Sequence, residues 1–181
     1  MQETVRIVRM QGRDALAQGL VPGIEAVLFA TAARVYPEGP ERDAFREKWL
    51  GRFLDCERDV LLVALGAQDA VAGYLVGTFD NAAESPRFLD MPHFREHFSA
   101  QCAQYPAHLH INLLAQHRGK GLGAQMIDRF GGLVRQAGLP GMHVTTGRGM
   151  RNVAFYLRNG FSECGTFQRN GGAMLFLGRR V

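Results

Sequence analysis

Across residues 4–10 apolar and polar positions alternate, with Val5 and Ile7 recurring at every second residue, and this period of two predicts a first strand. The spacing then lengthens. Over residues 12–35, Ile24, Val27, Leu28 and Ala32 fall on one stripe and predict helix, broken near Pro22-Gly23. Proline punctuates 37–40, and 41–56 predicts a second helix with Phe45, Trp49, Leu50 and Phe53 along one face. An apolar run at 59–65, a turn at 66–69 and a second run at 70–79 predict a hairpin.

Residues 81–105 form a polar excursion containing Pro86 and Pro92, with a short helix expected around 93–102. The segment is long for a loop and reads as a surface or interaction segment, or as a lid carrying Asp90, His93 and His97. Alternation resumes at 107–114, which predicts a strand. A helix follows from 119 or 120 to 136, with Met126, Ile127, Phe130, Leu133 and Val134 inward and Gly138-Leu139-Pro140-Gly141 as its stop. A strand at 142–146, a short helix at 151–159 closed by Gly160, and strands at 161–164 and 173–178 complete the order. The whole predicts one mixed α/β domain spanning 1–181, with an antiparallel front and one parallel crossover.

Length agrees with one core: 181 residues, 46% hydrophobic and 21% charged, are ordinary for a globular domain. The formal net charge of +4 suits an anionic ligand, but the basic residues are scattered, which argues against a nucleic-acid binder. Arg6, Arg9 and Arg13 ahead of the apolar stretch at 21–33 mimic a signal peptide; Pro22, Gly23 and Glu25 interrupt that stretch, so it reads as a helix of the domain. No run is long enough to span a membrane. Cys56, Cys102 and Cys164 are an odd, widely spaced set without zinc-ligand spacing, so no disulfide framework and no metal are expected, and a reducing, cytoplasmic setting is.

The sharpest local feature is Arg118-Gly119-Lys120-Gly121-Leu122-Gly123-Ala124, joining a predicted strand to a predicted helix. Such a junction exposes unpaired N–H groups at the positive end of a helix dipole, and glycines let the main chain approach a phosphate closely. Lys120 is followed by Gly121 rather than by Ser or Thr, so this is no Walker loop. The Gly119-Gly121-Gly123 spacing, after a fourth strand, is not the dinucleotide fingerprint either.

The loop resembles the Gln/Arg-x-x-Gly-x-Gly/Ala signature of the GNAT superfamily of N-acetyltransferases. A second block, Arg151-Asn152-Val153-Ala154-Phe155-Tyr156-Leu157-Arg158-Asn159-Gly160-Phe161, resembles that family's N-x-x-A-x-x-F/Y-Y-x-x-x-G-F block, in the family's order and separation. More narrowly, Tyr105-Pro106-Ala107-His108-Leu109-His110-Ile111-Asn112-Leu113-Leu114 is similar to the acetyltransferase-like domain associated with O-GlcNAc hydrolases and its bacterial relatives.

The resemblance implies a GNAT-like α/β fold, a twisted, mostly antiparallel sheet of six to seven strands in which parallel fourth and fifth strands splay apart. It implies acetyl-CoA as co-substrate and no metal, with pantetheine amides beside Ile111, Leu113 and Leu114 and pyrophosphate on the N–H groups of residues 118–124. Asn152 would bond the pantetheine and Tyr156 would protonate the departing thiolate. Alternation puts His108, His110 and Asn112 on one face of the fourth strand, so His108 and His110 are the candidate bases where related enzymes often use a carboxylate. His117 adds positive potential, and Trp49 is core or part of the acceptor wall. The expected partner is a small-molecule primary amine, with transfer in a ternary complex and a homodimer as a family-level expectation. A CoA-binding or interaction module without transfer activity, and a protein lysine or N-terminal acetyltransferase, remain the alternatives.

Overall fold

In the computed structural model, which describes residues 5–169 and 171–181, seven strands form one sheet in the order β1-β2-β3-β4-β5-β7-β6. The start of the first predicted strand, Thr4, lies outside the described residues. Two compact units divide the chain: one comprises residues up to Thr78 with His110–Met126, the other Phe79–Leu109 with Ile127–Val181.

In the first unit, β1 (Arg6–Met10), β2 (Val60–Leu65) and β3 (Val71–Thr78) pair antiparallel in sequence order. All six residues of β2 are buried, as expected of a strand covered on both faces, which explains an apolar run rather than alternation. The expected break near Pro22-Gly23 falls at residues 18–20 and leaves two helices, α1 (Gly12–Ala17) and α2 (Val21–Thr31). Pro22 sits in the first turn of α2, just after the break, where a proline gives up an N–H that has no helical partner. The second expected helix runs as α3 (Pro40–Arg46), a π-helical turn (Glu47–Gly51) and α4 (Arg52–Leu54). Arg46 Nε donates to Glu25 Oε1 at 2.6 Å and ties α3 to α2.

In the second unit, β5 (Gly141–Gly147) pairs antiparallel with β7 (Gly172–Arg180), and β7 with β6 (Ser162–Arg169). The strand β4 (Ala107–Leu113) runs parallel to β5, in register at Ala107↔Met142 and His108↔His143.

The excursion at 81–105 is structural, where a surface loop or a lid was expected. A 3-10 turn (Pro86–Phe88), α5 (His93–Glu96) and α6 (Ser99–Gln104) bury Phe88, Met91, Phe94, Phe98 and Cys102 in the second unit. Phe94 lies edge-on to His108 and His143 at 5.1 and 5.5 Å, and Phe98 lies 5.3 Å from Phe176. Arg95 donates to the carbonyls of Ser85 (2.7 Å) and Phe88 (3.2 Å), closing the segment on itself. Each buried phenylalanine contributes roughly 1.5–3 kcal/mol, more than the polar surface of the segment would indicate.

Candidate functional site

Where β4 ends, Leu114 donates its N–H to Ala72 O (3.0 Å) and accepts from His117 N–H (3.0 Å). A 3-10 turn (Ala115–His117) leads to Arg118, whose own N–H is used by Ala115 O at 3.2 Å. Gly119 (φ +72°) and Gly121 (φ +77°) then adopt the left-handed conformation that side chains other than glycine's rarely take. A Cβ at either would meet open space, so it is the backbone angle, not crowding, that calls for glycine.

The helix α7 (Leu122–Gln136) follows, its first bond running from Gln125 N–H to Gly121 O at 3.1 Å. Among the described residues, no hydrogen bond engages the N–H groups of Gly119–Ala124. Such groups at a helix start attract anions through their own partial charge and the helix dipole. The expected cradle at 118–124 thus narrows to 119–124, with Lys120 exposed on it and Arg118 Nε bonded to Leu113 O at 2.8 Å.

Beside β4, the first unit holds a pocket of about 190 Å³ walled by α2, the α3 helix with its π turn, and the second half of the strand. His110 faces it, its ring edge-on to Trp49 at 4.6 Å and to Phe53 at 5.7 Å. Asn112 is fixed: Nδ2 donates to Tyr74 Oη (2.9 Å), while Oδ1 accepts from Thr31 Oγ1 (3.0 Å). Tyr74 is fully buried, and burial pushes its phenol well above the ordinary tyrosine range. Thr31 and Tyr74 carried no signal in the sequence; they matter through Asn112, which lies far from both in the chain.

His108, on the same strand parity, belongs to the second unit and is fully buried. Its ring stacks on His143 at 4.9 Å and meets Phe88 at 5.8 Å. His143 donates from Nδ1 to Tyr105 O, and burial pushes its pKa down to about 4. His93 and His97 of the former loop stack on Phe167 at 6.4 and 4.0 Å and belong to the same unit. Among the described residues no cluster of three or more His, Cys, Asp or Glu is arranged to hold a metal.

The short helix α8 (Asn152–Arg158) carries the second motif block. Asn152 opens it, exposed, its Oδ1 accepting from Thr146 Oγ1 at 2.9 Å. Tyr156 is buried between Phe155 and Phe161, each with ring centroid 5.3 Å away, and burial raises its phenol pKa. Gly160, at φ +80°, closes the helix as expected, with Phe161 N–H bonded to Tyr156 O at 3.1 Å.

No family model matches the sequence. Solved structures do match over almost the full length. A protein called SsHAT is 22% identical with a TM-score of 0.70, covering 98% of both chains. The PaiA N-acetyltransferase from Thermoplasma acidophilum, solved with coenzyme A, is 15% identical with a TM-score of 0.63, over 98% of this chain and 99% of that one. A GCN5-related N-acetyltransferase from Kribbella flavida is 15% identical with a TM-score of 0.59, over 98% of each. At such identities it is the architecture that is shared: this chain has the fold of the GNAT N-acetyltransferases.

Proposed function

We propose that this chain is an acetyl-CoA-dependent N-acetyltransferase that acetylates the primary amine of a small molecule by direct transfer. The observation that carries the reading is the run of unengaged N–H groups at Gly119–Ala124, opening α7 immediately after the strand-end turn. Two left-handed glycines hold that run in shape, and Lys120 adds charge to it, which is what a diphosphate needs.

Acetyl-CoA supplies the activated acetyl group as a thioester. The chain's residues do the rest. Gly119–Ala124 bind the pyrophosphate, and the main chain of Ile111 and Leu113 lies along the pantetheine, with an N–H near Leu113 polarising the acetyl carbonyl. Leu114 has already given its N–H to Ala72, so its contribution is confined to apolar contact. Asn152, held by Thr146, takes a pantetheine polar group.

His110 is the better base of the two strand histidines, because it faces a pocket while His108 is enclosed by aromatic rings. It takes the proton that the incoming ammonium must lose. Tyr156, whose burial keeps the hydroxyl protonated, supplies the proton that the leaving sulfur requires.

The test is a thermal-shift titration with acetyl-CoA, CoA, ATP and NAD, followed by an assay of thiol release over an amine panel. Stabilisation by the CoA forms alone, rising with the logarithm of concentration, together with amine-dependent thiol release, is the expected result. Stabilisation without release from any amine would leave the CoA-binding module as the better reading. Equal stabilisation by all four ligands would remove the cradle assignment.

A further inference from the structure

The first-unit pocket has a wall chemistry that selects its occupant. We propose that it admits a primary amine joined through a short chain to an aromatic ring, of the size of 2-phenylethylamine, and excludes polyamines and lysine side chains presented by peptides. The inference rests on the acetyltransferase reading only in calling that occupant the acceptor; the ligand class follows from the pocket itself.

No aspartate, glutamate, lysine or arginine lines the pocket, and His110 is its one titratable side chain. A second or third ammonium would therefore enter without a carboxylate to meet it, and burying an unpaired charge costs several kcal/mol. An anionic ligand would equally lack an arginine or lysine. The polar atoms on offer suit one amine. Asn112 has turned its Nδ2 to Tyr74, so its oxygen, with Thr31 Oγ1 beside it, is what the pocket retains, and His110 supplies a ring nitrogen.

The remaining lining residues are apolar in type. Phe45 and Trp49 line the pocket, their ring centroids 6.4 Å apart, together with Leu28 of α2. A ring set against Phe45 and Trp49 gains stacking and area. The volume, about 190 Å³, is enough for a single ring with a two-carbon arm.

The backbone offers an independent reason to regard this wall as built. Trp49 sits in the middle of the π-helical turn Glu47–Gly51, a kind of interruption that recurs at functional sites. The wider turn separates Trp49, half-buried at the pocket, from Leu50, which is fully buried.

Trp49 is the single tryptophan of the sequence, so its fluorescence reports occupancy without turnover. The experiment titrates the full chain, without acetyl-CoA, with 2-phenylethylamine, spermidine, phenylacetate and a lysine-containing peptide. A saturable change in Trp49 emission with 2-phenylethylamine, at a Kd at least tenfold below that for the other three, is expected. Spermidine or the peptide binding as tightly as 2-phenylethylamine, or no saturable change with 2-phenylethylamine, overturns the proposal.

A variant guards the result against misreading. Thr31→Asp places a carboxylate at the pocket and is expected to shift preference towards spermidine by tenfold or more; an unchanged preference counts against the proposal. Failure here is separable from failure of the acetyltransferase reading. Thiol release with spermidine alone sinks the ligand class and keeps the enzyme, whereas tight 2-phenylethylamine binding without thiol release keeps the ligand class and sinks the enzyme.

Discussion

Arg118 donates its Nε–H to the main-chain carbonyl of Leu113 at 2.8 Å, so the first residue of the glycine-rich loop is clamped to the end of the strand that precedes it. In the proposed function the guanidinium would then have two duties: charge beside the pyrophosphate and a staple that sets where the loop begins. Arg118→Glu removes both and is expected to weaken acetyl-CoA binding by roughly 10- to 100-fold, the range for losing a charge-assisted hydrogen bond. Arg118→Lys keeps charge but lacks the guanidinium Nε, and should fall between. Isothermal titration with CoA reads both, and an Arg118→Glu affinity equal to that of the parent would remove Arg118 from the site.

Gly73 of β3 lies against the end of β4. A Cβ there would stand 2.6 Å from Asn112 O and 3.1 Å from Leu113 Cα, both main-chain atoms that cannot swing aside. Gly73→Ala is therefore expected to destabilise by about 2 kcal/mol or more, lowering Tm by roughly 4–8 °C, as overpacking against backbone does. The same variant should disturb Asn112 and with it the pocket. A thermal melt within 1 °C of the parent would mean that β3 has more room than its contacts indicate.

Tyr156→Phe keeps the ring between Phe155 and Phe161 and deletes only the hydroxyl. Turnover should fall by roughly 10²- to 10⁴-fold, the usual contribution of a general acid, with acetyl-CoA affinity unchanged. Because burial raises the phenol pKa, the parent should show no loss of rate from tyrosine ionisation below about pH 10, the ordinary tyrosine value. Steady-state kinetics across pH test both points, and undiminished turnover in Tyr156→Phe would end its role as donor.

His143 makes stability depend on pH. Its folded pKa, about 4, lies below the ordinary 6.5, so between these values the unfolded chain holds a proton that the folded chain does not. Stability from this group is full above pH 6.5 and falls as pH drops towards 4, by up to roughly 3 kcal/mol. The cause is burial, only partly offset by the bond to Tyr105 O, with His93 adding a smaller effect in the same direction as burial. Urea unfolding at pH 7.0 and 4.5 should show the loss, and His143→Gln, which keeps a donor for Tyr105, should reduce it. An identical pH slope in His143→Gln would place the acid sensitivity elsewhere.

Local features were legible in the sequence because a residue type in a local frame is enough to cause them. The glycines at 119, 121 and 160 mark left-handed positions, and each has φ between +72° and +80°. The hairpin of β2 and β3 and the amphipathic face of α7 follow from runs of apolar residues alone. Features set by distant partners were not legible. The aromatic residues of 81–105 alternate with charges and two prolines, and their periodicity is broken by Pro92, so nothing local announced that Phe88, Phe94 and Phe98 build a core. The π turn at Glu47–Gly51 was likewise hidden, because its sequence also fits an α-helix.

The sequence by itself determined the order of elements and the glycine-rich start of α7, since periodicity, capping glycines and helix-start amides depend on neighbours a few residues away. Only the tertiary structure decided between residues that the strand period treats alike. His108 is enclosed by Phe88, Phe94 and His143, whereas His110 meets Trp49 and Phe53 at a pocket. Burial is a property of what the folded chain brings near from afar, and a period of two in one strand contains no record of it.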